Sequence, residues 1–410
     1  MAAGAWGAVA PPADKLAEGE RVFWAGDYVT AELAFFEVLM ASPDEAAAHF
    51  YLGRIFQERG QLERAGEQYE AAAGSDYRES YFFLGLVYFQ QRRFDDSVAA
   101  YEKYLAAYGD DATAWYNLGV TYDAAGRGDK AEESYEAALA ANPRHGPSVF
   151  NLAVLYYRRG DYGRSAFFWR RYLELAGDSA DGFYGLGLAH YKAGDYVNAA
   201  RAFHAGVQAA PLEPRFFYEL GRTYLKLGEY EPAATMFTRA HELGYDEGAI
   251  AEGLGLALEG GGQYDRAIPL LKRAAEIRGS RGGEAYAALG RIERQRGRAG
   301  EAMGDFYEAA ARLDDPAEAY NQIGELYMEQ DLPSWAAGAF RRAVAASPAN
   351  ISYQHNLATA YDRASPRDAL AAWRRYVELA GVAPGEERRV AKARKRISQL
   401  LDVYGEEERP

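Results

Sequence analysis

The sequence predicts an all-α solenoid of antiparallel helix pairs stacked in chain order. Three observations predict it. A small residue following an apolar one recurs at Gly19, Gly53, Gly85, Gly119, Ala153, Gly187, Gly221, Gly255, Gly290, Gly324 and Ala358, at intervals of 32 to 35 residues. Twelve residues beyond each (eleven in the last unit) stands a second small side chain, and four further on a large apolar one, as in Ala65 and Tyr69, Ser165 and Trp169, or Ala336 and Phe340. Finally, a chain of 410 residues exceeds what a single core supports, about 250–300 residues, and no linker interrupts it.

Each element follows from local chemistry. The first helix of a unit carries apolar residues at helical spacing, as in Trp115, Leu118 and Tyr122. A turn follows, often Gly-Asp-Tyr, as at Gly26-Asp27-Tyr28, Gly160-Asp161-Tyr162 and Gly194-Asp195-Tyr196. Glycine takes the left-handed conformation that ends one helix, and the acidic residue caps the next. The second helix stops at a proline such as Pro43, Pro143, Pro211 or Pro348, or at a glycine such as Gly109 or Gly177. The small residues let the two helices approach, and the large side chain fills the remaining wedge. Units start near residues 12, 46, 78, 112, 146, 180, 214, 248, 283, 317 and 351, so eleven of them span 12–381. Residues 1–11 form an N-terminal segment. Residues 382–410 hold a capping helix and tail, in which Val390, Ala393, Ile397, Leu400 and Tyr404 share one face. The basic run Lys392, Arg394, Lys395 and Arg396 reads as the solvated outer face of that helix.

These positions resemble the tetratricopeptide repeat (TPR). The resemblance implies a right-handed superhelix and a role in protein–protein interaction. Glu18 and Glu293 depart from the pattern, standing where leucine and an aromatic are usual, and Pro269 falls inside a second helix. Volume is exchanged between neighbouring units: Tyr104 and Tyr172 precede Ala114 and Gly182, while Gly206 and Ala343 precede Phe216 and Tyr353.

The glycine-rich stretch Gly253–Ala267 invites a nucleotide-binding reading. A phosphate loop joins a strand to a helix, whereas these glycines lie between two expected helices. Gly255 is therefore an inter-helix contact and Gly260–Gly262 a turn. A net charge of −14 argues against a nucleic-acid partner. With no cysteine there is no disulfide, thiolate metal site or Cys nucleophile. No apolar run is long enough for a membrane span, so no direct membrane insertion is expected. The N-terminus is a poor signal peptide as it stands. The cytoplasm fits, as does a bacterial periplasm if a leader was removed.

The resemblance implies a groove lined by the first helices. Carried over, its positions are Phe50, Phe82, Leu86, Phe89, Tyr116, Val120, Phe150, Val154, Tyr157, Tyr184, Leu188, Tyr191 and Tyr218, a stripe through repeats 2 to 7. Asn117 and Asn151 occupy the position that holds a peptide backbone in related proteins. The alternative is that these rings pack on one another or on the N-terminal segment. The clamp that grips chaperone tails is missing its cations: Phe82, Leu86 and Pro147 stand at its positions. Arg291 and Arg294, with Arg278 and Arg281 nearby, offer an acidic partner segment a contact, or else pair with Glu252 and Glu259.

Catalysis finds little support. His49, His145, His190, His204, His241 and His355 are scattered among repeats, without metal spacing or a nucleophile partner. No cofactor is expected. The reading is a non-enzymatic scaffold that binds a short segment of another protein in the groove. The alternative is a structural spacer that works through its convex face and ends.

Overall fold

The computed structural model describes residues 12–381 and 383–404. The N-terminal segment expected over 1–11 lies outside the described residues, as does the tail beyond 404. The chain divides into two compact units, Met1–Gly194 and Asp195–Pro410. The first holds α1 (Pro12–Trp24), α2 (Tyr28–Ala41), α3 (Ala46–Glu58), α4 (Leu62–Gly74), α5 (Ser80–Gln90), α6 (Phe94–Ala107), α7 (Ala112–Ala124), α8 (Gly128–Ala141), α9 (Gly146–Arg158), α10 (Tyr162–Ala176) and α11 (Ala180–Lys192). The second holds α12 (Tyr196–Ala209), α13 (Pro214–Leu227), α14 (Tyr230–Glu242), α15 (Glu247–Gly260), α16 (Tyr264–Arg278), α17 (Gly283–Gln295), α18 (Ala299–Ala310), α19 (Ala317–Glu329), α20 (Pro333–Ala346), α21 (Ile351–Ala364), α22 (Pro366–Ala380) and α23 (Glu387–Tyr404). A short 3₁₀ turn, Gly279–Arg281, follows α16.

Within each unit every helix packs on the next, giving the TPR solenoid arrangement of helix pairs. The turns form as their residues dictate. Gly26, Gly160 and Gly194 take φ of 84°, 78° and 78°. The carboxylates of Asp27, Asp161 and Asp195 then accept the backbone N–H of Thr30, Arg164 and Asn198.

The small residue of the first helix and the ring of the second form one joint. A Cβ added at Gly53 would lie 2.6 Å from the Tyr69 ring, at Gly85 2.6 Å from Tyr101, and at Gly119 2.6 Å from Tyr135. In the second unit Gly255 meets Leu271 and Gly324 meets Phe340 in the same way. Each ring is buried, and fully burying such a side chain contributes about 1.5–3 kcal/mol. Where serine replaces the second small residue its hydroxyl finds a carbonyl at once. Ser97 Oγ donates to Gly85 O at 2.7 Å, and Ser165 Oγ to Ala153 O at 2.8 Å. The glycine-rich stretch also resolves into joints: Gly253 contacts Phe237, Gly260 contacts Tyr230, and Gly262 turns the chain with φ 74°.

Glu293, where the pattern has an aromatic, is buried and pairs with Arg298 at 3.2 Å. α23 packs on α22 of the last helix pair. Val390, Ala393 and Leu400 of that helix pack with Trp373, Tyr376 and Ala380 of α22. Tyr376 Oη donates to Glu386 at 2.7 Å, just before α23 begins. Of the basic run, Arg396 pairs with Asp362, while Lys392, Arg394 and Lys395 are exposed.

Candidate functional site

Stacking fixes which helix faces can meet a ligand. In the first unit the first helices of neighbouring pairs touch one another: α1 meets α3, α5 meets α7, and α9 meets α11. Among the described residues the second helices do not pack together in this way. The odd-numbered helices of this unit therefore stand on the side where neighbouring pairs approach one another. The predicted stripe stands on them, at spacings of three and four residues that keep it on one face.

Phe82, Leu86, Phe89, Tyr116, Asn117, Val120, Phe150, Asn151, Val154, Tyr157, Tyr184, Leu188 and Tyr191 are all half-buried. One edge of several rings rests on a neighbour. Phe82 lies 5.4 Å from Tyr104, and Tyr116 5.3 Å from the His145 ring. Phe150 meets Trp169 edge-on at 4.9 Å, and Phe89 approaches Phe94 at 5.8 Å. Asn151 Nδ2 donates to the Tyr135 hydroxyl at 3.1 Å.

One sequence expectation needs correction, that for Phe50, and Tyr218 and the arginines take the places that follow. Phe50 does not stand in the stripe: it is 7% exposed, enclosed by Tyr51, Tyr69, Tyr77 and Phe83. Bulky Phe83 on the next first helix covers it. Tyr218 belongs to the second unit, where it stacks on Tyr245 at 4.5 Å and burial pushes its phenol up to about 12. Arg291 and Arg294 do not present open cations. The Arg291 guanidinium grips Glu259 through two bonds of 2.6 and 2.7 Å. Burial works against its charge, and the Glu259 carboxylate outweighs that, raising its pKa. Arg294 bonds Gln322, Glu325 and Glu329. Arg278 likewise pairs with Glu252 at 2.6 Å. On the second unit's first helices this pairing continues as Asn321 bonds Glu325 at 2.9 Å and accepts from Asn356 at 2.9 Å.

An open apolar cavity of about 250 Å3 lies between α9, α10 and α11, lined by Phe150, Val154, Tyr157, Trp169, Tyr184 and Leu188, with Gly185 and Asp181. Five of these were expected from the register. Trp169, Gly185 and Asp181 were not, and the first two explain the cavity. In repeats 2 to 4 the ring of the second helix lies on a glycine of its own unit. Repeat 5 has Ala153 there, and tryptophan instead of tyrosine or phenylalanine. The indole leans across to the next unit, where a Cβ at Gly185 would come within 2.2 Å of it. Asn117 and Asn151 fill the corresponding position in repeats 4 and 5, whereas Gly185 leaves it empty. Gly185, standing where repeats 4 and 5 carry Asn117 and Asn151, was the signal available in the sequence.

Four of the six histidines hold structural posts. His49 bridges Gln68 and the Pro43 carbonyl, His145 caps α9 through the Ser148 N–H, and His204 bonds the Tyr224 hydroxyl. His355 packs against Trp373 and Tyr376. Among the described residues no group of three or more His, Asp or Glu is placed to hold a metal ion, and no helix is long and apolar enough to cross a membrane.

Comparison with known proteins places this architecture. The family model described as "Tetratricopeptide repeat" matches residues 16–78, 84–146, 121–180, 150–214, 218–280 and 253–318. Among solved structures the chain is similar to yeast Tom70, at 14% identity over 95% of this chain and 96% of that one, with a TM-score of 0.51. It is also similar to the APC/C hetero-tetramer Cut9-Hcn1, at 12% identity over 93% and 95%, TM-score 0.45. A tetratricopeptide repeat protein from Parabacteroides merdae matches at 19% identity over 60% and 98%, TM-score 0.42. Among proteins of curated function none matches the sequence. Repeated helix pairs with the family's glycine–aromatic joint, matched by its model over most of the chain, make this a protein-interaction scaffold of the tetratricopeptide-repeat family.

Proposed function

We propose that the first unit binds an extended or helical segment of another protein along the aromatic face of its first helices, and that one bulky apolar side chain of that segment anchors in the cavity beside Trp169. The reading involves no catalysis and no cofactor. The cavity carries it. An apolar cavity of 150 Å3 admits benzene, so about 250 Å3 lined by four rings and two aliphatic side chains suits a side chain as large as tryptophan. Anchoring one such group contributes about 1.5–3 kcal/mol, and two or three along the stripe support micromolar affinity. Tyr116, Phe82 and Leu86 supply further apolar contacts in the preceding repeats.

The test pans a random peptide library on the wild-type chain and on Val154→Trp, which fills the cavity with protein. Enrichment of peptides sharing one large apolar residue, lost on Val154→Trp, supports the reading. Peptides that enrich equally on both, or none that enrich, overturn it.

A second reading, a spacer subunit, draws on a different observation. In the second unit the charged groups of the first helices satisfy one another, as in Arg291–Glu259 and Arg294–Glu325. A surface whose charges are already paired gains little by exchanging them for a ligand's.

A further inference from the structure

We propose that the outer face of α2 is a self-association surface, on which two copies of this chain pair through their first repeats. The observation is an apolar stripe left open. Val29, Leu33, Phe36 and Met40 follow one another at spacings of four, three and four residues along α2 and are 66%, 62%, 38% and 86% exposed. They lie within a single narrow sector of the helix surface. Trp24, just before the turn into α2, is 69% exposed.

The stripe is peculiar to this repeat. At the same register positions repeat 2 carries the exposed Glu63, Glu67 and Glu70, and repeat 4 the exposed Asp129, Glu133 and Glu136. No other repeat places four large apolar side chains there. The outer face of a solenoid's second helix needs no apolar residue for stacking, so stacking does not account for these four.

A second copy fits the stripe. Antiparallel pairing of two α2 helices about a two-fold axis sets Leu33 of one copy against Phe36 of the other, and Val29 against Met40. Such an isologous contact closes on itself and leaves neither stripe exposed. The carboxylates flanking the stripe are already neutralised within the chain: Glu32 by Arg59 at 2.5 Å and Glu37 by Lys15 at 3.2 Å. They therefore do not oppose the approach of a second acidic chain, which matters in a protein of net charge −14. Two such stripes together with their flanking residues bury an area on the order of 1,000 Å2, about where specific interfaces begin.

Because the chain has no cysteine, the geometry can be read directly. Sedimentation velocity on the full chain is expected to show a dimer. Leu33→Glu, which copies the glutamate repeat 2 already carries at Glu67, is expected to weaken association at least about 100-fold with unchanged helicity. Mixing Val29→Cys with Met40→Cys under mild oxidation is expected to cross-link the two variants to each other and neither strongly to itself. A wild-type chain that remains monomeric up to about 100 μM overturns the proposal, whether residues 1–11 or a different protein cover the stripe. A Leu33→Glu chain that dimerises as well as wild type overturns it too, as does a cross-link pattern that ignores the antiparallel register.

Discussion

The indole of Trp169 rests on Gly185 of the following repeat, so close that a methyl group at 185 would lie 2.2 Å from its ring. The bulk of Trp169 beside the bare backbone of Gly185 sets this ring across a repeat boundary, at the edge of the cavity. Gly185→Ala is therefore expected to destabilise the first unit by about 1–3 kcal/mol, the usual cost of overpacking. The same variant should lose peptide binding, because the displaced indole enters the cavity. Thermal unfolding, read beside a peptide titration, checks both. Unchanged unfolding would show that the indole does not occupy the site described.

The exchange of volume between Gly206 and Phe216 gives a second test, inside the second unit. A Cβ at Gly206 would lie 2.1 Å from the Phe216 ring. Gly206→Ala should cost about 1–3 kcal/mol, and adding Phe216→Leu should recover part of it. Additive effects in denaturant unfolding would rule out the coupling.

Gly182 offers the equivalent in the first unit with a different neighbour. A Cβ there meets Leu173 first, at 2.7 Å, and Tyr172 second, at 3.2 Å. Gly182→Phe should destabilise by more than about 2 kcal/mol, and Leu173→Ala should relieve it more than Tyr172→Ala does. Melting temperatures of the double variants decide the order.

Asp305 on α18 sets a pH dependence. Burial pushes its carboxyl up to about 6, and the negative field of Glu293, Glu301 and Glu308 adds to the shift while Lys272 opposes it. The folded chain then holds this proton more tightly than the unfolded chain. The stability it contributes is full below about pH 4 and is lost as pH rises through about 6. Asp305→Asn should accordingly stabilise the protein at pH 7.5, by about 1 kcal/mol after allowance for solvent screening, and not at pH 4. Urea unfolding at the two pH values measures this; an equal effect at both would contradict the shift.

Much of this protein was legible before any coordinates. The small residues and the rings sixteen positions later mark each first helix and its partner, because a glycine and an aromatic of fixed separation make sense only where two helices touch. The Gly-Asp turns follow from the left-handed glycine and the capping carboxylate, both local effects. Local rules also sufficed to strip the glycine-rich stretch of a phosphate site.

What lay outside local reach concerned distances between repeats. Periodicity put Phe50, Phe150 and Tyr184 at one register position, but Phe83 covers the first, and a missing side chain at Gly185 opens a cavity beside the other two. The sequence left open whether Arg291 and Arg294 meet an acidic partner or neighbouring acids such as Glu259; the fold decides for the acids, bringing Glu259 and Glu325 within reach from adjacent repeats. The composition of α2 is plain in the sequence, yet only packing decides that Val29, Leu33, Phe36 and Met40 face outward. Periodicity assigns residues to faces; whether a face is covered depends on side chains some thirty positions away, and those meet only after the helices stack.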